Sequence, residues 1–228
     1  MEDIRKYPTD DEAKELIISI GKRMYERGFV ASNDGNLSCK VSDTEIWATP
    51  TGVSKGFMTP EMLIKTDLSG NVIEGDRKPS SELKMHLRCY AEDPEITGVV
   101  HAHPEFSTAF ACAGLPLDSR VLAEGIVQLG YVPCAPFALP GTQEVPDSIG
   151  PFIKDHNAVL LANHGALTWG SSLMQAYMRL ESLEFYAKQI MYTRYIMKTE
   201  SCFTEDDVDR LIDIRENRLG IKKGGRPS

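Results

Sequence analysis

The chain has 228 residues, 42% of them hydrophobic and 25% charged, enough for one sizeable core and too balanced for a disordered or fibrous class. Lys and Arg number 25 against 33 Asp and Glu, a net charge of -8. That balance argues against a general nucleic-acid binder, whose affinity comes from neutralising phosphates, but leaves room for a local anion pocket. No apolar run of about 18 residues predicts a membrane-spanning helix. The charged start Met1-Glu2-Asp3-Ile4-Arg5-Lys6 lacks the apolar stretch of a secretory signal. Cys39, Cys89, Cys112, Cys134 and Cys202 form no C-x-x-C pair, and read as small hydrophobes of a reduced, cytoplasmic protein.

Ala13, Leu16, Ile17, Ile20 and Met24 recur at helical spacing and predict a helix over 11–28, opened by Thr9 or Asp10 and closed at Gly28. Ser32-Asn33-Asp34-Gly35 is a turn cluster. The alternating runs 36–41 and 45–49 read as a hairpin around Ser42-Asp43-Thr44, and 65–67 with 70–74 as a second. Thr49-Pro50-Thr51-Gly52 breaks the strand before it. Pro79-Ser80-Ser81-Glu82 opens a helix with a serine cap, continued by Leu83, Leu87 and Tyr90. A strand over 96–103 ends at Pro104, and a helix over 106–113 ends at Gly114. Residues 131–143, rich in Pro and Gly, read as loop with short strand pieces. The apolar run 158–162 predicts a buried strand stopping at Asn163-His164-Gly165. A helix over 173–198 and another after Thr204 complete the chain, with 222–228 expected to fray. No repeat or dividing linker interrupts the order, so 1–228 is expected to be a single domain, a mixed sheet covered by helices, with a motif-bearing core over about 10–200 and a C-terminal helix and tail over 204–228.

His101-Ala102-His103 is the sharpest chemical signal. Residues i and i+2 of a strand project to one face, so the two imidazoles can share a metal ion; the alternative is a pair of histidines exposed at a loop. His164, at another strand end, is either a third ligand or a turn histidine bonded to backbone. Three histidines with an open fourth position are the arrangement of catalytic Zn²⁺, and Co²⁺ or Mn²⁺ suit the same nitrogens. Glu82, in the first turn of its helix, either complements the helix dipole or serves as general base or further metal ligand. His86 reads as packed behind it and His156 as a surface turn. The turns at Asn33–Asn36, Thr49–Gly52 and Pro79–Ser81 offer backbone N–H groups, and would form a phosphate pocket if they converged.

Five motifs in order, Asn33-Asp34-Gly35-Asn36-Leu37-Ser38, Thr49-Pro50-Thr51-Gly52, Pro79-Ser80-Ser81-Glu82, His101-Ala102-His103-Pro104 and Asn163-His164-Gly165, resemble the class II aldolase/adducin family, and in particular its L-fuculose-1-phosphate aldolases. The resemblance runs from about Leu16 to Leu183. It implies an α/β/α fold of three layers around a mixed, mainly antiparallel sheet, and a homotetramer with sites between subunits. It implies Zn²⁺ on His101, His103 and His164, Glu82 as catalytic acid/base, and a sugar phosphate held by Asn36, Gly52, Ser80 and Ser81. The expected activity is retro-aldol cleavage of a ketose 1-phosphate to dihydroxyacetone phosphate and an aldehyde. The alternatives are a 4-epimerase, dehydratase or decarboxylase on the same scaffold, and last a non-catalytic module like the adducin heads. Epimerases carry Asp where Glu82 stands, which tilts the reading to the aldolases. Family tyrosines that serve the aldehyde oxygen have no counterpart in Val121-Leu122-Ala123-Glu124-Gly125 or at Asn217-Arg218. Tyr131 and Glu124 are the candidates to replace them.

Overall fold

The computed structural model describes residues 6–228, so the reading of residues 1–5 as no part of a signal lies outside the described residues. Eight strands form one sheet: β1 (Asn36–Lys40), β2 (Glu45–Ala48), β3 (Ile64–Asp67), β4 (Val72–Glu74), β5 (Gly98–Ala102), β6 (Cys134–Ala135), β7 (Ala158–Leu161) and β8 (Gly165–Gly170). Their order is β4-β3-β2-β1-β5-β8-β7-β6. β6 runs parallel to β7, and the other pairings are antiparallel. The mixed, mainly antiparallel sheet expected from the sequence is the one observed.

Helices cover both faces, because the central strands alternate which layer each side chain enters. Leu37, Cys39, Trp47, Val100, Ala102 and Leu160 pack with α1 (Asp10–Glu26), α3 (Glu105–Cys112) and α6 (Leu173–Ile190). Ile46, Ala48, Val99, Leu161, Leu167 and Trp169 pack with α2 (Leu83–Glu92) and α5 (Glu144–Ile149). The same alternation sends Asn36, Ser38 and His101 toward α2. Of two further helices, α4 (Ala123–Gln128) packs on α6, and α7 (Glu205–Asp213) packs on α4.

Local chemistry accounts for the long elements. The Thr9 hydroxyl accepts from the Glu12 N–H, and the Glu12 carboxylate accepts from the Thr9 N–H, a reciprocal cap that opens α1. Ile17, Ile20 and Met24 are fully buried beneath it, each stabilising by about 1.5–3 kcal/mol. Ser172 caps α6, whose helical path continues in wider turns through Met191–Met197, close to the predicted span of 173–198. Among the described residues no helix is long and apolar enough to cross a membrane.

Several expectations differ from the structure. β8 was not anticipated; it begins and ends on glycine, which gives no strand signal, and becomes a strand by pairing with β5 on one side and β7 on the other. α4 and α5 have six residues each and no side-chain cap, so neither carries a local start signal. The helix expected to open at Ser80 begins at Leu83, which puts Glu82 at the cap position rather than in the first turn. The tail over 222–228 does not fray. Lys223 pairs with Asp93, Arg226 with Asp209 and Glu205, and Tyr131 N–H donates to the Gly225 carbonyl. Cys39 and Cys89 are buried as expected, but Cys112 and Cys202 are exposed.

Candidate active site

β5 and β8 bring the histidines together at one end of the sheet. β5 ends at Ala102, and His103 follows it, its N–H donating to the Phe29 carbonyl at 3.0 Å. The β7–β8 turn places His164. Asn163 there has φ +57°, a left-handed conformation that asparagine accepts more readily than most residues. Gly165 lets the chain pass His103, since a Cβ at that position would lie 2.5 Å from its Cδ2. The ligand atoms of His101, His103 and His164 all lie within 4.8 Å of one another.

Donor chemistry suits a borderline metal ion. The Nδ1–H of His101 donates to the Ala166 carbonyl at 2.9 Å, which leaves Nε2 as a free lone pair. That Nε2 is 3.0 Å from the Nε2 of His103, whose Nδ1 faces Asp34 at 3.4 Å. Burial lowers the pKa of His101 and of His103, so both imidazoles stay neutral and able to ligate at neutral pH. Glu82 closes the group. One carboxylate oxygen lies 2.9 Å from His164 Nε2 and 3.6 Å from His101 Nε2, and the other accepts from Asn36 Nδ2 at 2.7 Å. Burial opposes its charge, but the facing imidazoles of His101 and His164 and the Asn36 amide outweigh burial and hold the carboxyl well below the usual range.

A buried hydrogen-bond chain stands behind Glu82. Asn36 Nδ2 donates to Glu82, so its Oδ1 accepts from His86 Nε2–H, at 2.5 Å. His86 Nδ1 then accepts from the Ser38 hydroxyl at 2.7 Å, and Ser38 Oγ accepts from the Tyr90 hydroxyl at 2.7 Å. Every donor therefore points toward the carboxylate. His86 is buried as the sequence suggested, and burial lowers its pKa to about 4. Ser38 and Tyr90 escaped sequence reasoning. The usable signal was the helical spacing of Glu82, His86 and Tyr90 opposite alternate positions 36 and 38 of a strand.

The cleft in front of Glu82 is lined by Asn36, Gly52, Ser80 and Ser81, together with Asp34, Lys55, His103 and His164. The three turns expected to converge do so. Gly52 has φ +74°, and a Cβ on it would meet nothing within 4 Å, so its turn is an open cradle. Both polar ends of the Asn36 amide are already bonded inward, which leaves one Nδ2 hydrogen free for a ligand. Ser80 Oγ accepts from the Glu82 N–H at 3.2 Å. Lys55 went unnoticed in the sequence, where it is one lysine of many. Neither Tyr131 nor Glu124 lines this cleft. Tyr131 packs with His156 beyond the start of β7, the end away from His164, and Glu124 is exposed on α4. His156 is half-buried there, its Nδ1 3.2 Å from the Tyr131 carbonyl, rather than exposed in a turn.

The fold and the histidine–glutamate cluster agree with what comparison finds. The model of the class II aldolase and adducin N-terminal domain matches residues 15–191, and the chain belongs to that family. It is 35% identical over 84% of its length to the 3-oxo-tetronate 4-phosphate decarboxylase of Haemophilus influenzae, covering 95% of that protein. It is equally 35% identical over 79% of its length to the L-fuculose phosphate aldolase of Methanococcus maripaludis, covering 94% of it. The solved structure of YgbL from Klebsiella pneumoniae superposes with a TM-score of 0.83 at 32% identity, over 90% of this chain and 99% of that one. The chain is thus an enzyme of the class II aldolase superfamily. The sequence put aldol cleavage ahead of decarboxylation; these relatives place decarboxylation at least level with it.

Proposed function

We propose that this chain is a zinc-dependent carbon–carbon lyase of phosphorylated keto compounds, and that it decarboxylates a 3-oxo-tetronate 4-phosphate or a close analogue. The convergence of Glu82 with His101, His103 and His164 carries the reading. Those three histidines would hold the ion, with one position open, and the bound ion supplies Lewis acidity toward the substrate ketone. Glu82 sits at the ligand cluster as a carboxylate, placed to relay a proton between solvent and the substrate carbon. Asn36, Gly52, Ser80 and Ser81 hold the phosphate against backbone N–H groups and hydroxyls.

Both candidate reactions share one half. Loss of carbon dioxide from the 3-oxo acid breaks C1–C2 and leaves the electron pair on C2, next to the C3 ketone. Protonation of C2, with Glu82 relaying the proton from solvent water, gives dihydroxyacetone phosphate. Cleavage of a ketose 1-phosphate between C3 and C4 leaves the pair on C3, next to the C2 ketone, and yields the same product after protonation. The reactions differ at the leaving group. An aldehyde leaves only when a second group takes the proton of its hydroxyl, whereas carbon dioxide leaves with no proton transfer. Support for decarboxylation comes from the relatives named 3-oxo-tetronate 4-phosphate decarboxylase, which are 34–35% identical to this chain. A complete ligand set speaks against the non-catalytic module. Assembly into the expected homotetramer is supported by an exposed apolar stripe along one side of α6 and its extension, Met178, Phe185, Tyr192 and Ile196.

The test is a substrate panel on zinc-loaded protein, with dihydroxyacetone phosphate measured by enzymatic reduction. Release from the 3-oxo-tetronate 4-phosphate, abolished in Glu82→Gln with zinc retained, is the expected result. Release only from ketose 1-phosphates would move the assignment to an aldolase. Full turnover by Glu82→Gln would overturn the role of Glu82 in both.

A further inference from the structure

Lys55 is a buried cation without a counter-ion. It is 1% exposed. Its Nζ donates to two backbone carbonyls, Asn33 at 2.8 Å and Val53 at 2.5 Å, and no carboxylate bonds to it among the described residues. An ammonium carries three donors, so one remains unused. Buried charges are ordinarily paired, because an unpaired one loses its hydration with nothing in return. The chain nonetheless builds this position. Lys55 opens the short turn Lys55–Phe57 packed on α1, where Gly21 leaves room: a Cβ there would lie 2.9 Å from the Lys55 carbonyl. The side chain ends on the wall of the cleft, tying the turn at Asn33 to the turn at Val53.

We propose that Lys55 is the cationic seat for the phosphate group of the substrate, its ammonium pairing with a phosphate dianion held between the Gly52 turn and Ser80–Ser81. This rests on the reading of the cleft as a phosphate pocket. The other walls are backbone amides and hydroxyls, while Asp34, Glu82, His103 and His164 face the same space. A dianion entering beside two carboxylates needs a positive charge on its own side of the cleft, and Lys55 is the lysine lining it. Lys55 itself has the character of a cation short of a partner: burial lowers its pKa to about 8, against the pull of Asp34 and Glu82. Phosphate binding favours the ammonium, so above that pH binding takes up a proton.

The experiment is calorimetric titration of the zinc-loaded protein with inorganic phosphate, comparing wild type, Lys55→Met, Lys55→Gln and the double variant Ser80→Ala/Ser81→Ala. Loss of one charge-assisted contact predicts a dissociation constant raised about tenfold to a hundredfold in both Lys55 variants, with zinc content unchanged. Wild-type affinity should also fall between about pH 8.5 and about pH 10, where inorganic phosphate is almost wholly the dianion and the Lys55 ammonium is being lost, and this fall should be absent from Lys55→Met. A lysine that merely braced the turns would not give that difference in pH profile. If the double variant weakens phosphate and the Lys55 variants do not, the assignment of Lys55 fails while the phosphate pocket stands. If neither changes affinity, the pocket reading itself fails and phosphate binds elsewhere. Should the Lys55 variants not fold, a flat wild-type profile over that pH range overturns the proposal unaided.

Discussion

Replacing His86 with leucine tests whether the chain behind Glu82 is a structural element with a defined polarity. His86 is 1% exposed and joins Ser38 to Asn36. Leucine leaves the Ser38 hydroxyl without its acceptor and the Asn36 carbonyl oxygen without its donor. Each orphaned buried group costs about 1–3 kcal/mol, so the variant should lose about 2–6 kcal/mol near neutral pH. Acid should narrow that gap. Burial depresses the folded pKa of His86 from 6.5 to about 4. Below 6.5 the unfolded chain takes up a proton that the folded chain refuses, so wild type loses stability as pH falls from 6.5 towards 4. The full shift corresponds to about 3 kcal/mol, of which about 2 kcal/mol is lost by pH 5. The leucine variant has no such group, and the other histidines are common to both proteins and cancel in the difference. Urea unfolding of metal-free protein at about pH 7 and about pH 5 measures the two gaps. Parallel losses at both pH values, or a loss under about 1 kcal/mol at neutral pH, would refute a neutral, doubly bonded His86.

Three further outcomes follow from the geometry. Gly165→Ala puts a Cβ 2.5 Å from His103 Cδ2 and 2.6 Å from the Ala102 carbonyl oxygen; bound zinc, measured by atomic absorption, should fall well below one per chain while β-sheet circular dichroism persists. Chelation should lower the melting temperature of zinc-loaded protein and not that of His101→Ala, because a ligand that binds only the folded state stabilises it by mass action; equal shifts in both would place the ion elsewhere. Deleting residues 222–228 removes the Lys223 contacts to Asp93 and the Ile153 carbonyl and the Arg226 pair with Asp209; the truncated chain should unfold at lower urea by about 1–3 kcal/mol, whereas an unchanged midpoint would mean a tail that contributes nothing.

Wherever residue type alone sets the local outcome, the sequence was sufficient. Thr9 and Glu12 cap α1 whatever packs against it. Asn163 and Gly165 permit the turn that carries His164, and a histidine pair at i and i+2 of a strand must share a face. Those local rules, with five ordered motifs, were enough for the sheet class and for the meeting of His101, His103, His164 and Glu82 at one end of the sheet. What tertiary structure alone decided depends on distance through space. β8 is a strand because β5 and β7 flank it. The tail is ordered because Asp93, Asp209 and Asp118 stand where its residues arrive. Tyr131 is absent from the cleft because its bond to Gly225 keeps it at the other end of β7. Lys55 matters for a reason no composition reveals: a charge is ordinary on the surface and demands a partner once it is buried, and only the fold says which lysine is buried.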